Sequence, residues 1–184
     1  VSIAVDKNHG PWICYENTHQ DNLEITWKSE GSWKKEVVDP RFNAGKVNSM
    51  VLDKKGKPII AYNGYDSAWG FHLKFASKIE GSWNRTVLDN GDVSFSSIKI
   101  DSTGNPHIIY CTNRLLNYTY WNGTCWTFET LDRLSIRDDI SLVLDANDFP
   151  NVLYVNNSPD YSTRNLVYSR WTGDNWSSEI VNSG

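Results

Sequence analysis

Ser97–Tyr110 reads SIKIDSTGNPHIIY, and Leu116–Asp132 reads LNYTYWNGTCWTFETLD. The first stretch has close copies in the same chain: SIAVDKNHGPWICY from Ser2, SMVLDKKGKPIIAY from Ser49 and SLVLDANDFPNVLY from Ser141. Each runs Ser-x-x-x-Asp, with Pro five positions after the Asp and Tyr four after the Pro. Asp6, Asp53, Asp101 and Asp145 therefore recur at spacings of 47, 48 and 44. Pro11, Pro58, Pro106 and Pro150 keep step, as do Tyr15, Tyr62, Tyr110 and Tyr154. The second stretch is repeated more loosely, each copy carrying a Leu-led run, a Gly and then Trp33, Trp83, Trp126 or Trp176.

Every copy reads as four short strands. A small apolar run (SMVLD) leads to a run that starts at Pro (PIIAY, PHIIY). An alternating run follows (LNYTYW, LVYSRW), and then a run from Trp to an acidic end (WKKEVVD, WTFETLD). Period-two alternation with β-branched and aromatic residues is a strand signal, and no window sustains a 3.6-residue period. The D-x-x-G-x-P turns have a mechanism. The Asp accepts backbone N–H bonds, the Gly takes a positive φ, and the Pro opens a strand where no ladder donor is needed. In the fourth copy Asp148 stands in the Gly position, which an Asp tolerates better than most residues.

A repeat of forty-odd residues with four strands predicts an all-β fold, a β-propeller of four four-stranded blades. Blade boundaries fall near 1–45, 46–93, 94–138 and 139–184, forming a single propeller domain. A β-sandwich explains the strands but not the fourfold register. Ring closure is left open between plain packing of four blades, membership of a longer propeller, and two chains building a larger ring.

The totals remove several function classes. The chain has 184 residues, nine Trp and a net charge of −4. That charge argues against a nucleic-acid backbone binder. No apolar run approaches the roughly 20 residues of a membrane helix, and no signal peptide is read. Cys14, Cys111 and Cys125 form no CxxC pair; buried small hydrophobes and a Cys111–Cys125 bridge within one blade both remain open. Sequons begin at Asn84, Asn117, Asn122, Asn156 and Asn175, which Asn- and Ser-rich repeats produce by chance.

In a propeller blade the stereotyped first-to-second and third-to-fourth turns share one end, and the loops that differ between copies share the other. Loops on a rigid scaffold carry function, so the variable end is the expected binding face. Its candidate ligand-binding residues are His19, Asp21, Tyr65, Asp66, Trp69, Arg114, Tyr161 and Arg164: aromatic rings beside planar polar groups, the chemistry that holds a sugar. Asp6, Asp53, Asp101 and Asp145 are assigned a structural turn role. Asp66, Asp92, Asp138, Asp139 and Asp160 could serve a hydrolase, but no spacing picks a pair. No catalytic motif is present, so no enzyme is expected. No cofactor is expected either; calcium at the acidic Arg137–Asp139 is the one weak candidate, without EF-hand spacing.

The repeat resembles a widespread class of extracellular propeller repeats of bacterial and archaeal surface proteins, with the form S-L-x-L-D-x-x-G-x-P-H-I-x-Y…L-x-Y-x-x-W-x-G-x-x-W-x-x-E-x-V-D. The resemblance covers the whole chain. The W-x-G-x-x-W turns (Trp121, Gly123, Trp126; Trp171, Gly173, Trp176) are also similar to those of bacterial propeller lectins, whose sugar pockets lie between blades. The first two copies lack the first Trp of that turn. These resemblances imply an extracellular or cell-surface module that binds a glycan or a protein, with a homodimer or other domains of a parent chain as possible partners. An adhesion repeat, or a polysaccharide-active hydrolase or lyase or its accessory domain, are the alternatives.

Overall fold

The computed structural model describes residues 1–66, 70–133, 140–157 and 162–183. Among them the chain forms sixteen strands in four antiparallel sheets, each with its strands in sequence order. The first sheet is β1 (Ser2–Val5), β2 (Pro11–Asn17), β3 (Asn22–Ser29) and β4 (Ser32–Asp39). The second is β5 (Asn48–Leu52), β6 (Pro58–Asp66), β7 (Gly70–Ile79) and β8 (Ser82–Asp89). The third is β9 (Val93–Ile100), β10 (Pro106–Thr112), β11 (Leu115–Trp121) and β12 (Trp126–Arg133). The fourth is β13 (Ile140–Leu144), β14 (Pro150–Asn157), β15 (Arg164–Trp171) and β16 (Trp176–Ser183). Each repeat is one sheet. The sheets group into two compact units, Val1–Val93 and Ser94–Gly184.

The repeated turn behaves as its residues require. Oδ1 of Asp6, Asp53, Asp101 and Asp145 accepts two backbone N–H bonds each, at 2.8–2.9 Å, from residues two and four further on. The position three after each Asp has positive φ: Gly56 (74°), Gly104 (97°), Asp148 (63°) and, in the first copy, His9 (61°). Each Pro opens the second strand of its sheet.

Within each unit one sheet packs on the next. We call the face turned to the following sheet downstream and the face turned to the preceding sheet upstream. In the first unit Cys14, Ile25 and Val38 meet Met50, Ile60 and Tyr62. In the second, Ile109, Cys111 and Tyr118 meet Leu142, Val152 and Tyr154. The repeated Tyr links the sheets: the Tyr62 hydroxyl donates to Asp39 Oδ2 (2.8 Å), and that of Tyr154 to Asp132 Oδ2 (2.9 Å).

A β-bulge recurs where the third strand meets the fourth, at Leu23, Leu73, Leu116 and Leu166. Glu24 pairs with Val37, and Leu23 pairs with Asp39, so Val38 has no partner of its own. Strict alternation would send Val38 and Asp39 to opposite faces. The bulge turns both downstream, one into the core and the other onto Tyr62.

Two loops are tighter than the sequence suggests, where 112–115 reads as a second-to-third loop and 90–94 as an interblade loop. Thr112 and Leu115 belong to strands, leaving the turn Asn113-Arg114, with φ of 50° and 65°. Both values are those of a two-residue type I′ hairpin. Val93 and Ser94 belong to β9 rather than to an interblade loop. None of the three cysteines is in a disulfide, so the Cys111–Cys125 bridge does not form. Cys111 pairs with Leu116 at one end of β11, and Cys125 follows Trp121 at the other. About six strand residues, roughly 20 Å, separate those ends.

Candidate functional site

A cavity lies in the second unit, between the third and fourth sheets. It measures about 180 Å³ and is lined by His107, Tyr118, Tyr120, Glu129, Asp148, Phe149, Pro150 and Trp171. These residues come from the start of β10, the middle and end of β11, the middle of β12, the β13–β14 turn, the start of β14 and the end of β15. It therefore opens at the stereotyped-turn end.

Its walls are aromatic. His107 and Tyr120 stack with centroids 5.5 Å apart, and Tyr118 and Tyr120 stack at 5.6 Å. Trp176 stands edge-on to Tyr118 at 5.3 Å and to Trp171 at 5.8 Å. The W-x-G-x-x-W turn thus holds one Trp at the cavity wall and sends the other between the sheets. The same edge-to-face pair recurs at Trp121 and Trp126 (5.9 Å).

The polar groups are held from behind. His107 Nδ1 bonds the Tyr118 hydroxyl, and His107 Nε2 lies 3.6 Å from Asp101 Oδ2. Burial pushes the His107 pKa below its ordinary value, against the pull of Asp101 and Asp148. Burial also carries Tyr118 well above the usual tyrosine range, and the neighbouring Tyr120, Glu129 and Asp101 add to it. For Asp101, burial works upward, but hydrogen bonds from Asn105 and Thr103 outweigh it and lower its pKa to about 2. A neutral His107 with its hydrogen on Nε2, facing Asp101, leaves Nδ1 to accept from Tyr118.

Both cavity carboxylates are anchored. Glu129 Oε2 accepts the Trp176 indole N–H (2.8 Å). Asp148 accepts from the Ser102 backbone N–H (2.9 Å) and hydroxyl (2.5 Å). Among the described residues, no Lys or Arg lines the cavity. The site combines stacking surfaces with hydrogen-bond acceptors and net negative charge.

The first unit holds a different set in the same register. Trp12 and Trp27 stack at 4.9 Å and 7°, in the positions of His107 and Tyr120. Glu36 stands where Glu129 does, but it pairs with Lys78 (2.5 Å), which occupies the Trp171 position. The indole N–H of Trp83, the counterpart of Trp176, is buried without a partner. One substitution, Trp to Lys, replaces an aromatic wall by an ion pair.

The residues expected at the variable end are placed as follows. Tyr65, at the end of β6, is partly exposed and packs edge-on to Phe71 (5.6 Å). Asp21 and Arg114 sit in hairpin turns at positive φ. His19 is exposed in the β2–β3 loop, where its backbone N–H bonds Asn17 Oδ1 (3.1 Å). Arg164 is exposed at the start of β15. Trp69, Tyr161 and the Asp66 side chain lie outside the described residues, as do Asp138, Asp139 and Asp160. Of the expected residues that are described, His19, Asp21, Tyr65, Arg114 and Arg164, none lines the cavity. Among the described residues, no group of three or more His, Cys, Asp or Glu side chains is arranged to hold a metal. Nor is any helix among those residues long and apolar enough to cross a membrane.

No cavity residue was among the candidate ligand-binding residues, although Asp148, Pro150 and Trp171 were read as parts of the repeated turns, and one signal marks the site. Glu recurs three after the last Trp in three copies (Glu36, Glu129, Glu179), and the third copy alone has His after its Pro and Tyr at both 118 and 120.

No family model matches the chain, and no curated protein matches its sequence. Solved structures do match, and several of them are glycan-active enzymes. An α-L-arabinanase from Penicillium chrysogenum complexed with arabinobiose aligns over 97% of this chain and 65% of its own, at TM-score 0.66 and 10% identity. An ulvan lyase of a polysaccharide lyase family aligns over 98% of this chain and 55% of its own, at TM-score 0.66 and 12% identity. The NanB sialidase of Streptococcus pneumoniae aligns over 98% and 51%, at TM-score 0.63 and 10% identity. The chain spans about half to two thirds of the length of these proteins. The fold is an all-β propeller type, with each four-stranded sheet a blade.

Proposed function

We propose that the chain is a non-catalytic carbohydrate-recognition module, working outside the cell or at its surface, and that the cavity between the third and fourth blades holds the sugar. The observation that carries this reading is the joining of aromatic walls and anchored carboxylates in one small cavity. Rings stack on the C–H faces of a sugar, and carboxylates accept from its hydroxyls. Drug-sized ligands need about 300–1,000 Å³, so a single sugar residue is the better fit. With Glu129 and Asp148 at the wall and no cation beside them, the preferred sugar is neutral or carries an ammonium group, and acidic sugars are disfavoured. The glycan chemistry of the proteins that share the fold supports the reading.

A glycan array followed by titration calorimetry tests it, with wild type beside Trp171→Ala, Glu129→Gln and Tyr65→Ala. The expected outcome is binding that Trp171→Ala weakens at least tenfold and Tyr65→Ala leaves unchanged. Loss in Tyr65→Ala alone would move the site to the variable end of the second blade, at Tyr65. A blank array with folded protein would end the sugar reading for the glycans tried.

The second reading, a hydrolase or lyase, draws on Glu129 and Asp148 facing one cavity and on the enzymes that share the fold. Against it, the contacts from Trp176 and Ser102 hold these carboxylates as fixed acceptors. New reducing ends from a polysaccharide, abolished by Glu129→Gln, would establish catalysis.

A further inference from the structure

The first unit holds an ammonium group of its own in the register of the second unit's cavity. Lys78 stands in the place of Trp171, each pairing with the Trp that opens the next strand. Its Nζ lies 2.5 Å from Glu36 Oε2 and 5.7 Å from the centre of the Trp83 ring. Glu36 is the counterpart of Glu129, and Trp83 of Trp176. This scaffold therefore lodges an ammonium between a carboxylate and an aromatic face. The negative π-face attracts the cation, and the carboxylate gives it a charge-assisted hydrogen bond.

The second unit keeps the carboxylate and the ring but supplies no ammonium. Trp171 has become wall rather than occupant. Glu129 spends Oε2 on the Trp176 indole N–H, and among the described residues its Oε1 has no partner. Each oxygen of Asp148 accepts one bond from Ser102, which leaves one lone pair apiece. His107 brings no compensating charge, because burial disfavours its protonated form. The lining is thus rich in acceptors and negatively charged. A sugar hydroxyl brings one donor together with an acceptor oxygen that carboxylates cannot serve. An ammonium group brings three donors, a positive charge and no acceptor. In donor number and in charge, the ammonium answers this lining better.

We propose, on the reading of this cavity as a sugar site, that its ligand is an amino sugar with a free ammonium group, the ammonium seated on Glu129 in the field of Asp148 and the sugar ring stacked on Trp171. N-acetylation removes the charge and puts a carbonyl acceptor in its place, so the acetylated sugar loses the preference. Lys78 is the internal counterpart of the ligand, filling the first unit's site with its own side chain.

Calorimetry on the whole chain at low salt tests this. The probes are the methyl glycosides of glucosamine, galactosamine and mannosamine, each beside its N-acetyl form and its neutral parent, with choline as an ammonium that carries no sugar. At least one amine form is expected to bind about tenfold or more tighter than both of its uncharged counterparts, and to weaken as salt is raised. Glu129→Gln, which can still accept from Trp176, is expected to bring the amine and neutral forms within about threefold of each other. Trp171→Lys, which supplies an ammonium from the wall as Lys78 does, is expected to abolish binding of the amine form. Neutral or N-acetyl forms that bind as tightly as the amine overturn the inference and leave the sugar reading standing. An amine preference that Glu129→Gln leaves intact overturns it too. If no sugar binds in any form, the sugar reading falls and the inference with it, whether or not choline binds.

Discussion

At the scale of single residues, the Asp that opens each repeated turn acts as a clamp on the next four residues. Asp101 does more, because it also faces His107. Asp101→Ala removes several hydrogen bonds and is expected to cost about 1–3 kcal/mol, read by urea unfolding. Two windows of pH dependence follow. Asp101 has its folded pKa lowered to about 2, so its stabilisation is present above the unfolded value near 4 and is lost as pH falls toward 2. His107 is also depressed, so the folded state prefers it neutral, and stability falls as pH drops below about 6.5. Melting temperature against pH checks both: Asp101→Asn flattens the acid window and His107→Phe the one near 6.5. Arg114 is a case of local cost. It holds a positive φ in a two-residue turn, where Gly is preferred, so Arg114→Gly is expected to raise stability by about 0.5–1 kcal/mol. The turn Asp residues were legible in the sequence because their partners lie within four residues. The strain at Arg114 was not, because the turn was read as four residues wide.

At the scale of elements, the Tyr–Asp link joins sheets at a defined height. Asp39 and Tyr62 are both fully buried, whereas Asp132 keeps some solvent and also receives Asn156 (3.0 Å). Tyr62→Phe leaves Asp39 with Arg41 as its remaining side-chain partner (2.9 Å), and is expected to cost about 2–3 kcal/mol. Tyr154→Phe should cost about half of that. Chemical denaturation of the two variants checks the order. The strands themselves were readable from alternation and from their Pro and Trp punctuation. The bulge was not, because a run such as EVVD has no mark of where pairing skips a residue. The cavity was hidden for a related reason. His107 and Trp171 are far apart in sequence and meet only when two sheets face each other, and a repeat seen as a repeat draws attention to what recurs rather than to what departs.

At the scale of the molecule, the four copies share one scaffold and differ in what they line it with. The second unit keeps an aromatic cavity, and the first closes the same register with Lys78 and Glu36. Lys78→Trp, by restoring the aromatic wall and freeing Glu36 for Trp83, is expected to give the first unit a sugar affinity of its own, read as a second event in calorimetry. Saturating ligand should also raise wild-type stability, by about 2.7 kcal/mol at a concentration a hundred times Kd. The recurring bulge has a consequence at this scale. It breaks the parity of each fourth strand once, so that a greasy residue and a polar end look the same way, toward the next sheet. Every sheet is thereby given a front and a back, and the order in which sheets stack becomes a direction, like the teeth of a ratchet. A one-residue deletion there would leave the strands paired and the sheet intact, yet restore even parity and turn the terminal carboxylate away from its partner. The grammar that lets one sheet address the next resides in that single unpaired residue.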